Sequence, residues 1–547
     1  MFASRLDCQP QYEALSYVWG DNTTSIQIWI NDQCFMIGSN LYGVLTELRA
    51  EKSPCRVLWV DAICINQLDI PEKSQQVARM TEIYQKASST IMWIGKEEQS
   101  LRSALLDILN LNKEPWCSDP ERFDGRSLTV GSQIISSMEA VMSQPYFSRS
   151  WITQEIVVSR CPVIVAGSCK VKFEEISSAF YSVNMLQPGA SKYAAQFVAL
   201  DTIRMAIMKT RANKHEVAKV NNNQPRADLP DDRRLNHNTG RGPTVLPDLT
   251  QLLVSERDRG ATDARDKVYA LLGINGIAGC SQFSPDYTRT ASELYTAVAA
   301  QLIQQSNGLR ILSASQPRYS NLDIPSWVPD WSQPWRGGID RRDSFSSGKS
   351  FNPHLCVNTK NKTISLYGVK VDTIRQMLRT PFMDWEYMDI VDPLADVLER
   401  EAEKLGFRRQ FLYEEPAVTL LQVLVAGRGP FVMSKDLHRN DNYSCTGEVQ
   451  WNSHNLHKRR WDRFKDNLAW LENEWDMFET AHGHFGLAPT CIIPGDSVWI
   501  LGGGNVPFTL RQREQGGYKL IGECYLNGFM KDCVDTSKGA PDRIVIS

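Results

Sequence analysis

A strand–helix–strand pattern between residues 57 and 95 constrains the fold of this chain more than any other feature. Residues 57–62 form a short, nearly all-apolar run, which is typical of a strand covered on both faces. Pro71 then opens an amphipathic helix, and residues 90–94 form a second apolar strand that Gly95 ends. Because two strands joined by a helical crossover lie parallel, the pattern predicts an α/β module with a parallel sheet.

Further elements are expected on both sides of this unit. A strand at 12–19 ends in the turn signal Trp19-Gly20-Asp21. The remaining patterns of the front part predict a hairpin at 26–37, helices at 40–50, 101–112, 130–143 and 151–158, and a strand at 162–166.

The rest of the chain divides by pattern and composition. A length of 547 residues predicts about three or four domains. Residues 209–247 lose all periodicity, and Pro325–Trp331 cannot be regular structure because each Pro removes a donor. We expect a strand at 364–371, helices at 391–405 and 460–479, and short Gly-separated strands between 497 and 526. The predicted parts are a front module at 1–170, a helical extension at 171–208, a flexible linker or insertion at 209–247, a helical region with a Trp- and Pro-rich strap at 248–350, a mixed α+β region at 351–480 and a small antiparallel β module at 481–547.

Composition argues against several classes of protein. With 60 basic and 63 acidic residues the net charge is −3, so no overall field favours nucleic acid or an anionic membrane. The 13 cysteines include no C-x-x-C pair, which fits neither a zinc site nor a disulfide framework. No apolar run reaches the ~18 residues of a membrane span, and the N-terminus lacks a signal-peptide layout. The expected location is the cytoplasm, with no metal and no required cofactor.

Three blocks stand in order in the front part. They are YEALSYVWGD at 12–21, LWVDAICINQ at 58–67 with its continuation through 95, and SWITQE at 150–155. Together they resemble the heterokaryon incompatibility (HET) domain of filamentous fungi. Segments at 265–273, 325–331 and 486–523 also look like parts of long members of that family.

The resemblance implies a role in non-self recognition, an innate immunity in which fusion of incompatible hyphae triggers programmed cell death. The HET domain is in turn similar to the Toll/interleukin-receptor (TIR) domain, a flavodoxin-like parallel α/β module. Protein partners, or self-association into an oligomer through the HET domain, are therefore expected. Some TIR domains also cleave NAD, which makes NAD a possible substrate.

Trp151 and Glu155 reproduce the spacing of a tryptophan and a catalytic glutamate in those NAD-cleaving enzymes. Residues i and i+4 share a helix face, so Trp151 would wall a pocket while the solvent-facing Glu155 meets the ribose. Loss of nicotinamide leaves an oxocarbenium-like ribose that a carboxylate stabilises. The plain alternative is that Trp151 belongs to the core and that Glu155 forms a structural ion pair.

Other candidate ligand-binding residues are expected in the same module. Asp61 ends a predicted strand, where α/β folds present polar groups to ligands, and Trp19 with Gly20 offers an aromatic face for stacking a nucleotide ring. Arg149 is placed to contact a phosphate, and Asn66-Gln67 either supplies amide contacts or ties down the loop before the next helix. A core or surface role is the alternative for each of them.

The histidine pairs and the glycine run are better explained without metal or phosphate binding. His454-x-x-His457 and His482-x-His484 have no acid or cysteine cluster to complete a metal set, which favours surface histidines. Gly502-Gly503-Gly504 lacks the context of a phosphate-binding loop and indicates a hairpin turn.

Two alternatives to NAD cleavage remain open. In one, the front module is a non-catalytic adaptor surface and later domains bind a partner. In the other, the fold serves as a metabolic enzyme with a pocket between domains.

Overall fold

The chain divides into two compact units, Met1–Thr290 and Ala291–Ser547. The computed structural model describes residues 6–8, 10–20, 25–50, 56–96, 98–113, 132–186, 192–221, 248–274, 283–306, 309–340, 345–349, 351–378, 400, 402–404, 420, 423–424, 474–531 and 540–547.

Seven strands belong to the first unit: β1 Glu13–Ser16, β2 Ser25–Ile30, β3 Gln33–Gly38, β4 Leu58–Trp59, β5 Ser89–Gly95, β6 Pro162–Ala166 and β7 Cys169–Lys172. Five of them form one sheet in the order β4-β1-β5-β6-β7, and β2 pairs with β3 in a separate hairpin. β1 lies parallel to both β4 and β5, and β5 lies parallel to β6, whereas β7 is antiparallel to β6. The prediction of an α/β module with a parallel sheet is confirmed.

The helices of the first unit are α1 Ser39–Ala50, α2 Asp61–Cys64, α3 Ile70–Lys86, α4 Gln99–Leu111, α5 Ser132–Met142, α6 Ile152–Val158, α7 Phe173–Leu186, α8 Lys192–Asn221, α9 Leu249–Ser255 and α10 Asp266–Leu272. α3 begins where Asp69 caps it by accepting from the Glu72 amide at 3.0 Å. α8 continues through residues 209–221, which the sequence analysis assigned to the linker, because this stretch contains no Pro or Gly. The remainder of that predicted linker, 222–247, lies outside the described residues.

The core of the first unit lies between the parallel sheet and α1. Leu15 of β1 and Trp93 of β5 are buried against Leu41 and Val44 of α1 in one apolar cluster. Each such side chain contributes roughly 1.5–3 kcal/mol by leaving water. This packing fixes the carboxyl ends of β1 and β4, where the candidate site begins.

The second unit holds α11 Ala291–Ser306 and α12 Arg310–Ala314 and the strands β8 Cys356–Asn358, β9 Thr363–Leu378, β10 Trp475–Thr480, β11 Phe485–Pro489, β12 Ser497–Leu501, β13 Phe508–Gln512, β14 Tyr518–Glu523, β15 Tyr525–Leu526 and β16 Asp542–Ile546. β12 pairs with β13 and also with β9, while β16 joins β9 to β14. The path β9-β12-β13-β14-β16 therefore returns to β9 and closes a ring. All but the β14–β16 pairing are antiparallel, which confirms the antiparallel sheet expected near the C-terminus.

The strands expected at 364–371 and between 497 and 526 are confirmed by β9 and by β12 to β15, and two other predicted segments need comment. The helix predicted at 460–479 is wrong at its end, because residues 475–480 form β10, which pairs with β9 and β11. The strap Pro325–Trp331 is irregular as expected, and Trp327 and Trp331 are both buried. Within the described ranges, none of the helices is long and apolar enough to cross a membrane.

Candidate functional site

The carboxyl ends of β1 and β4 bring polar residues together. Ser16 is the last residue of β1, and Asp61 begins α2 two residues after β4. Since parallel strands end at the same edge of a sheet, side chains at these positions lie at the edge where open α/β folds bind ligands. α6, which carries Glu155, adds a third contributor to this edge, because Glu155 contacts Ser16.

Glu155 is the centre of a buried hydrogen-bond chain. Ser16 Oγ donates to Glu155 Oε2, and the Tyr146 hydroxyl lies 2.7 Å from the same Ser16 oxygen. A serine hydroxyl has one hydrogen, so Tyr146 donates to Ser16 and Ser16 donates to the carboxylate. Arg149 completes the set with two parallel contacts, Nη1 to Oε2 at 3.3 Å and Nη2 to Oε1 at 3.4 Å.

This burial corrects the expectation of a solvent-facing carboxylate. The Glu155 side chain is only 1% exposed, and its partner Arg149 is 16% exposed. The ion pair corresponds to the structural alternative for Glu155, and in this arrangement a ribose has no access to the carboxylate. The catalytic role of Glu155 itself stays a prediction.

Asp61 is a second carboxylate beside the same arginine. It accepts from Trp19 Nε1 at 2.8 Å and from the Ala62 amide at 2.8 Å, and it is buried. Burial raises the pKa of Asp61 to about 6, although the Arg149 cation works against that rise. Burial and a hydrogen bond to Asp61 raise the pKa of Tyr17 far above its usual range. The Arg149 guanidinium therefore stabilises the charge of two buried carboxylates, those of Glu155 and Asp61.

Trp19 and Gly20 form the solvent side of the cluster. The Trp19 side chain is among the exposed large apolar residues, at 39%, while its indole N–H is held by Asp61. Gly20 has a φ of +75°, a left-handed conformation that suits glycine. Asn40 fixes the turn by donating to the Val18 carbonyl at 2.5 Å. Asp21 of the predicted turn lies outside the described residues.

Trp151 is directed elsewhere. Its indole hydrogen-bonds to Asp266 of α10, and the Asp266 carboxylate also accepts from the Tyr287 hydroxyl at 2.6 Å. Burial raises the pKa of Asp266. Trp151 therefore ties α6 to α10, and the structure does not place its indole in the hydrogen-bond chain of Glu155.

The side-chain amides of Asn66 and Gln67 form hydrogen bonds within or next to their own loop. Asn66 Oδ1 accepts from the Leu68 amide at 3.2 Å, and Gln67 Nε2 donates to the Asp61 carbonyl at 3.3 Å. Both contacts hold the loop between α2 and α3, which was the simpler of the two expectations for these residues.

A later segment of the first unit, residues 256–260, contacts the chain around the ion pair, and we call it the downstream clamp. The Ser150 amide donates to the Gly260 carbonyl at 2.9 Å, and Thr153 Oγ1 donates to Glu256. Arg259 pairs with Glu256 at 2.5 Å. Residues about a hundred positions downstream thus hold the start of α6 in place.

Three members of the cluster were missed by the sequence analysis, namely Ser16, Tyr17 and Tyr146. Ser16 ends β1, Tyr17 follows it directly and Tyr146 lies in a short turn before α6, and these positions indicate core packing and give no signal of a shared carboxylate. Only the strand end at Ser16 offered a hint, because polar residues at that edge often face ligands.

The histidine and glycine motifs lie in the second unit. His482 Nδ1 is 2.9 Å from Asp372 Oδ1, and its side chain is largely exposed. The Gly502–Gly504 run follows β12 and leads to its antiparallel partner β13, which confirms a hairpin turn. His454 and His457 lie outside the described residues. In the described part of the chain, no group of three His, Cys, Asp or Glu side chains could hold a metal ion.

Comparison with known proteins gives two family matches and one relative. Residues 12–155 match the family model described as heterokaryon incompatibility protein (HET), and residues 437–540 match the Het-6 beta-barrel domain. The chain is similar to "Heterokaryon incompatibility protein 6, OR allele" of Neurospora crassa, with 23% identity over 645 positions that cover 98% of this chain and 92% of the relative. No solved structure gives a significant match.

Proposed function

We propose that this chain is a heterokaryon incompatibility protein that acts in fungal non-self recognition and the cell death that follows it. The observation that carries the proposal is the match of residues 12–155, which spans every residue of the buried cluster around Glu155. The relative aligned over 98% of the chain supports the same role. Both findings fit the expectation from the three ordered sequence blocks.

The closed cluster favours recognition without chemistry in the described state. Glu155 and Asp61 are both buried, and Arg149 contacts both oxygens of Glu155. A front module of this kind would work as an adaptor surface whose partners are proteins or further copies of the chain.

Fusion of fungal strains tests the role. The chain is deleted from its source strain, which is then paired with strains carrying other alleles, and dead fusion cells are counted with a vital dye. We expect deletion to let incompatible fusions survive, and re-expression to restore death. Re-expression of Arg149→Met is expected to fail, whereas Arg79→Met, which alters an exposed arginine, is expected to succeed. Unchanged cell death after deletion in every pairing would contradict the proposal.

NAD cleavage by a TIR-like front module is a second candidate. Its support is the order of the parallel strands. The four parallel strands follow each other along the chain as β1, β4, β5 and β6, and their order in the sheet is β4-β1-β5-β6. This corresponds to 2-1-3-4, which is the start of the flavodoxin-like order. Trp19, Asp61 and Glu155 also converge at the edge where such folds hold nucleotides.

Cleavage would require a rearrangement of the cluster. Arg149 must leave Glu155 before a ribose reaches the carboxylate, and the freed guanidinium would then meet the NAD pyrophosphate. The exposed Trp19 ring would stack on the nicotinamide or adenine. Assembly of several copies through the HET domain would provide the energy for that change.

An assay of NAD loss decides between these candidates. The wild-type chain is compared with Glu155→Gln, and Glu82→Gln on the exposed side of α3 is the matched control. Activity in the wild type and control that Glu155→Gln abolishes would support the enzyme. Equal activity in all three variants, or none at any protein concentration or with a crosslinker, would remove the enzymatic proposal and leave the recognition role.

A further inference from the structure

The hairpin of β2 and β3 carries an exposed apolar face. Its register places Gln27 opposite Met36 and Trp29 opposite Cys34. Because side chains alternate across a strand, these four residues share one face of the hairpin. Trp29 is 68% exposed and Met36 is 60% exposed, and as diagonal neighbours on the same face they lie about 7–8 Å apart. Large apolar side chains that stand together in solvent indicate a surface that contacts a partner.

The opposite face of the hairpin is anchored to the core of the first unit. Ile37 is buried in the apolar cluster beneath the sheet, and Ile28 packs against the same cluster. Asn31 and Asp32 have φ values of +49° and +59°, which is the type I′ turn that matches the twist of two antiparallel strands. The exposed face is therefore presented by a hairpin whose position and register are fixed.

The outer edge of β2 presents backbone groups that the hairpin does not use. Ile30 and Gln33 flank the two-residue turn and form a hydrogen-bonded pair, and such pairs occur at every second position of an antiparallel ladder. The amide and carbonyl groups of Gln27 and Trp29 therefore point away from β3. β2 and β3 form a sheet of two strands, and among the described residues neither Gln27 nor Trp29 has a main-chain partner outside it.

β2 also lacks the features that usually protect an open edge. Its sequence, SIQIWI, contains no charged residue, no Pro and no Gly, and its pairing with β3 has no bulge. Proteins commonly place Lys, Pro or a bulge on an edge strand, because an open edge pairs readily with another chain. The absence of these features from β2 indicates that its edge is used for pairing.

The edge of β2 is complementary to itself. An antiparallel partner strand must direct its own backbone groups outward at alternate residues. β2 of a second copy meets this condition about a two-fold axis at Gln27, where Gln27 pairs with its equivalent and Ser25 pairs with Trp29 of the other copy. Neither strand β2 nor the exposed face carries a charged side chain, so two copies meet there without repulsion between like charges.

We propose that this chain forms a two-fold dimer in which the β2 edges of two copies pair antiparallel and join the two hairpins into one sheet. Trp29 of each copy then packs beside Ser25 of the other. The dimer specifies the self-association that the recognition role allows, and it rests on that role for its purpose. Strand pairing alone buries less than the roughly 1,200 Å² of a stable interface, so we expect a weak dimer with a Kd of about 10–100 μM.

Hydrogen exchange of the full chain at two protein concentrations tests the pairing. We expect the outward amides of Gln27 and Trp29 to exchange about threefold more slowly at about 200 μM than at about 2 μM, because most of the chain is dimeric only at the higher concentration. Sedimentation velocity measures the dimer directly. Exchange of these amides that does not depend on concentration would show that the edge is free or is covered by its own chain, and either result would overturn the proposal.

Four variants locate the interface. Gln27→Pro removes an outward amide without removing a hairpin hydrogen bond, and it is expected to raise the Kd about tenfold or more. Cys34→Pro makes the same change on the β3 edge and is expected to dimerise as the wild type does. Trp29→Lys places two cations near the axis and is also expected to raise the Kd about tenfold or more, whereas Leu68→Lys, at a side chain that is 93% exposed, is the matched control.

Circular dichroism checks that each variant is folded. The dimer is refuted if the wild type stays monomeric at about 200 μM, if Cys34→Pro weakens it as much as Gln27→Pro does, or if folded Trp29→Lys dimerises like the wild type. These outcomes are distinct from failure of the recognition role. A monomeric chain whose deletion still abolishes cell death contradicts only the dimer, and a dimeric chain whose deletion changes nothing contradicts only the recognition role.

Discussion

Replacing Arg149 with Met tests whether one guanidinium neutralises the buried acids of the first unit. Arg149 contacts both oxygens of Glu155, and its charge also lowers the pKa of Asp61. Methionine retains much of the side-chain volume and removes the cation. The variant therefore leaves two buried carboxylates without their counter-ion.

The size of the effect follows from the free-energy cost of protonating Glu155, the carboxylate that Arg149 contacts. A glutamate in water has a pKa of about 4.3, so holding it neutral at pH 7 costs about 4 kcal/mol, and at pH 5 about 1 kcal/mol. The first figure agrees with the roughly 3–5 kcal/mol lost when one partner of a buried ion pair is removed. We therefore expect Arg149→Met to destabilise the first unit by about 4 kcal/mol at pH 7 and by much less at pH 5.

Hydrogen exchange measures this locally. Exchange of peptides that cover β5 and β6 gives the free energy of opening at the sheet of the first unit. Arg79→Met is the matched control, because Arg79 is half-exposed and lies 3.6 Å from Glu82, so its loss is expected to cost at most about 1 kcal/mol. A loss in Arg149→Met below about 1 kcal/mol at pH 7, or a loss that does not change with pH, would refute the reasoning.

Three further outcomes are expected. Ser16→Ala removes the hydroxyl that donates to Glu155 and is expected to cost about 1–3 kcal/mol of the same opening free energy. Folding raises the pKa of Glu523 to about 7, so the folded state binds more protons than the unfolded state between about pH 4.5 and 7, and stability falls as pH rises through this window. Glu523→Gln is expected to reduce the change in thermal unfolding temperature between these two pH values. A fragment of residues 1–170 lacks the downstream clamp and is expected to show weaker exchange protection of β5 than residues 1–290, and equal protection would contradict the role of the clamp.

The regular elements of the first unit could be predicted because each depends on local periodicity. The helix beginning near Pro71 required only the spacing of neighbouring side chains. The apolar run at 57–62 was predicted as a strand covered on both faces, and this was wrong in part: only Leu58–Trp59 form β4, which is a half-buried edge strand, and α2 begins at Asp61. The predicted helix at 460–479 shows the limit of this approach: Trp475–Thr480 is a strand because it pairs with β11 and with β9, and β9 is about a hundred residues away in sequence.

The candidate site could be predicted in its location but not in its contacts. Polar residues at strand ends predicted a cluster at one edge of the sheet, and Trp19, Asp61 and Glu155 do converge there. Accessibility could not be predicted, because Ser16 and Glu155 are 139 positions apart and only the packed fold brings them together. The same holds for Trp151, whose indole is drawn to Asp266 of α10.

The downstream clamp links the state of the ion pair to the rest of the first unit. Ser150 follows Arg149 directly, and its amide donates to the Gly260 carbonyl. Thr153, two residues before Glu155, donates to Glu256. A backbone movement at the start of α6 that separates Arg149 from Glu155 must therefore strain or break contacts with the turn after α9. Hence a partner that binds at this turn can favour the open or the closed cluster only to the extent that it binds one of them more tightly. This coupling gives the recognition proposal a physical route, because events at the clamp and at the buried acids share the start of one short helix.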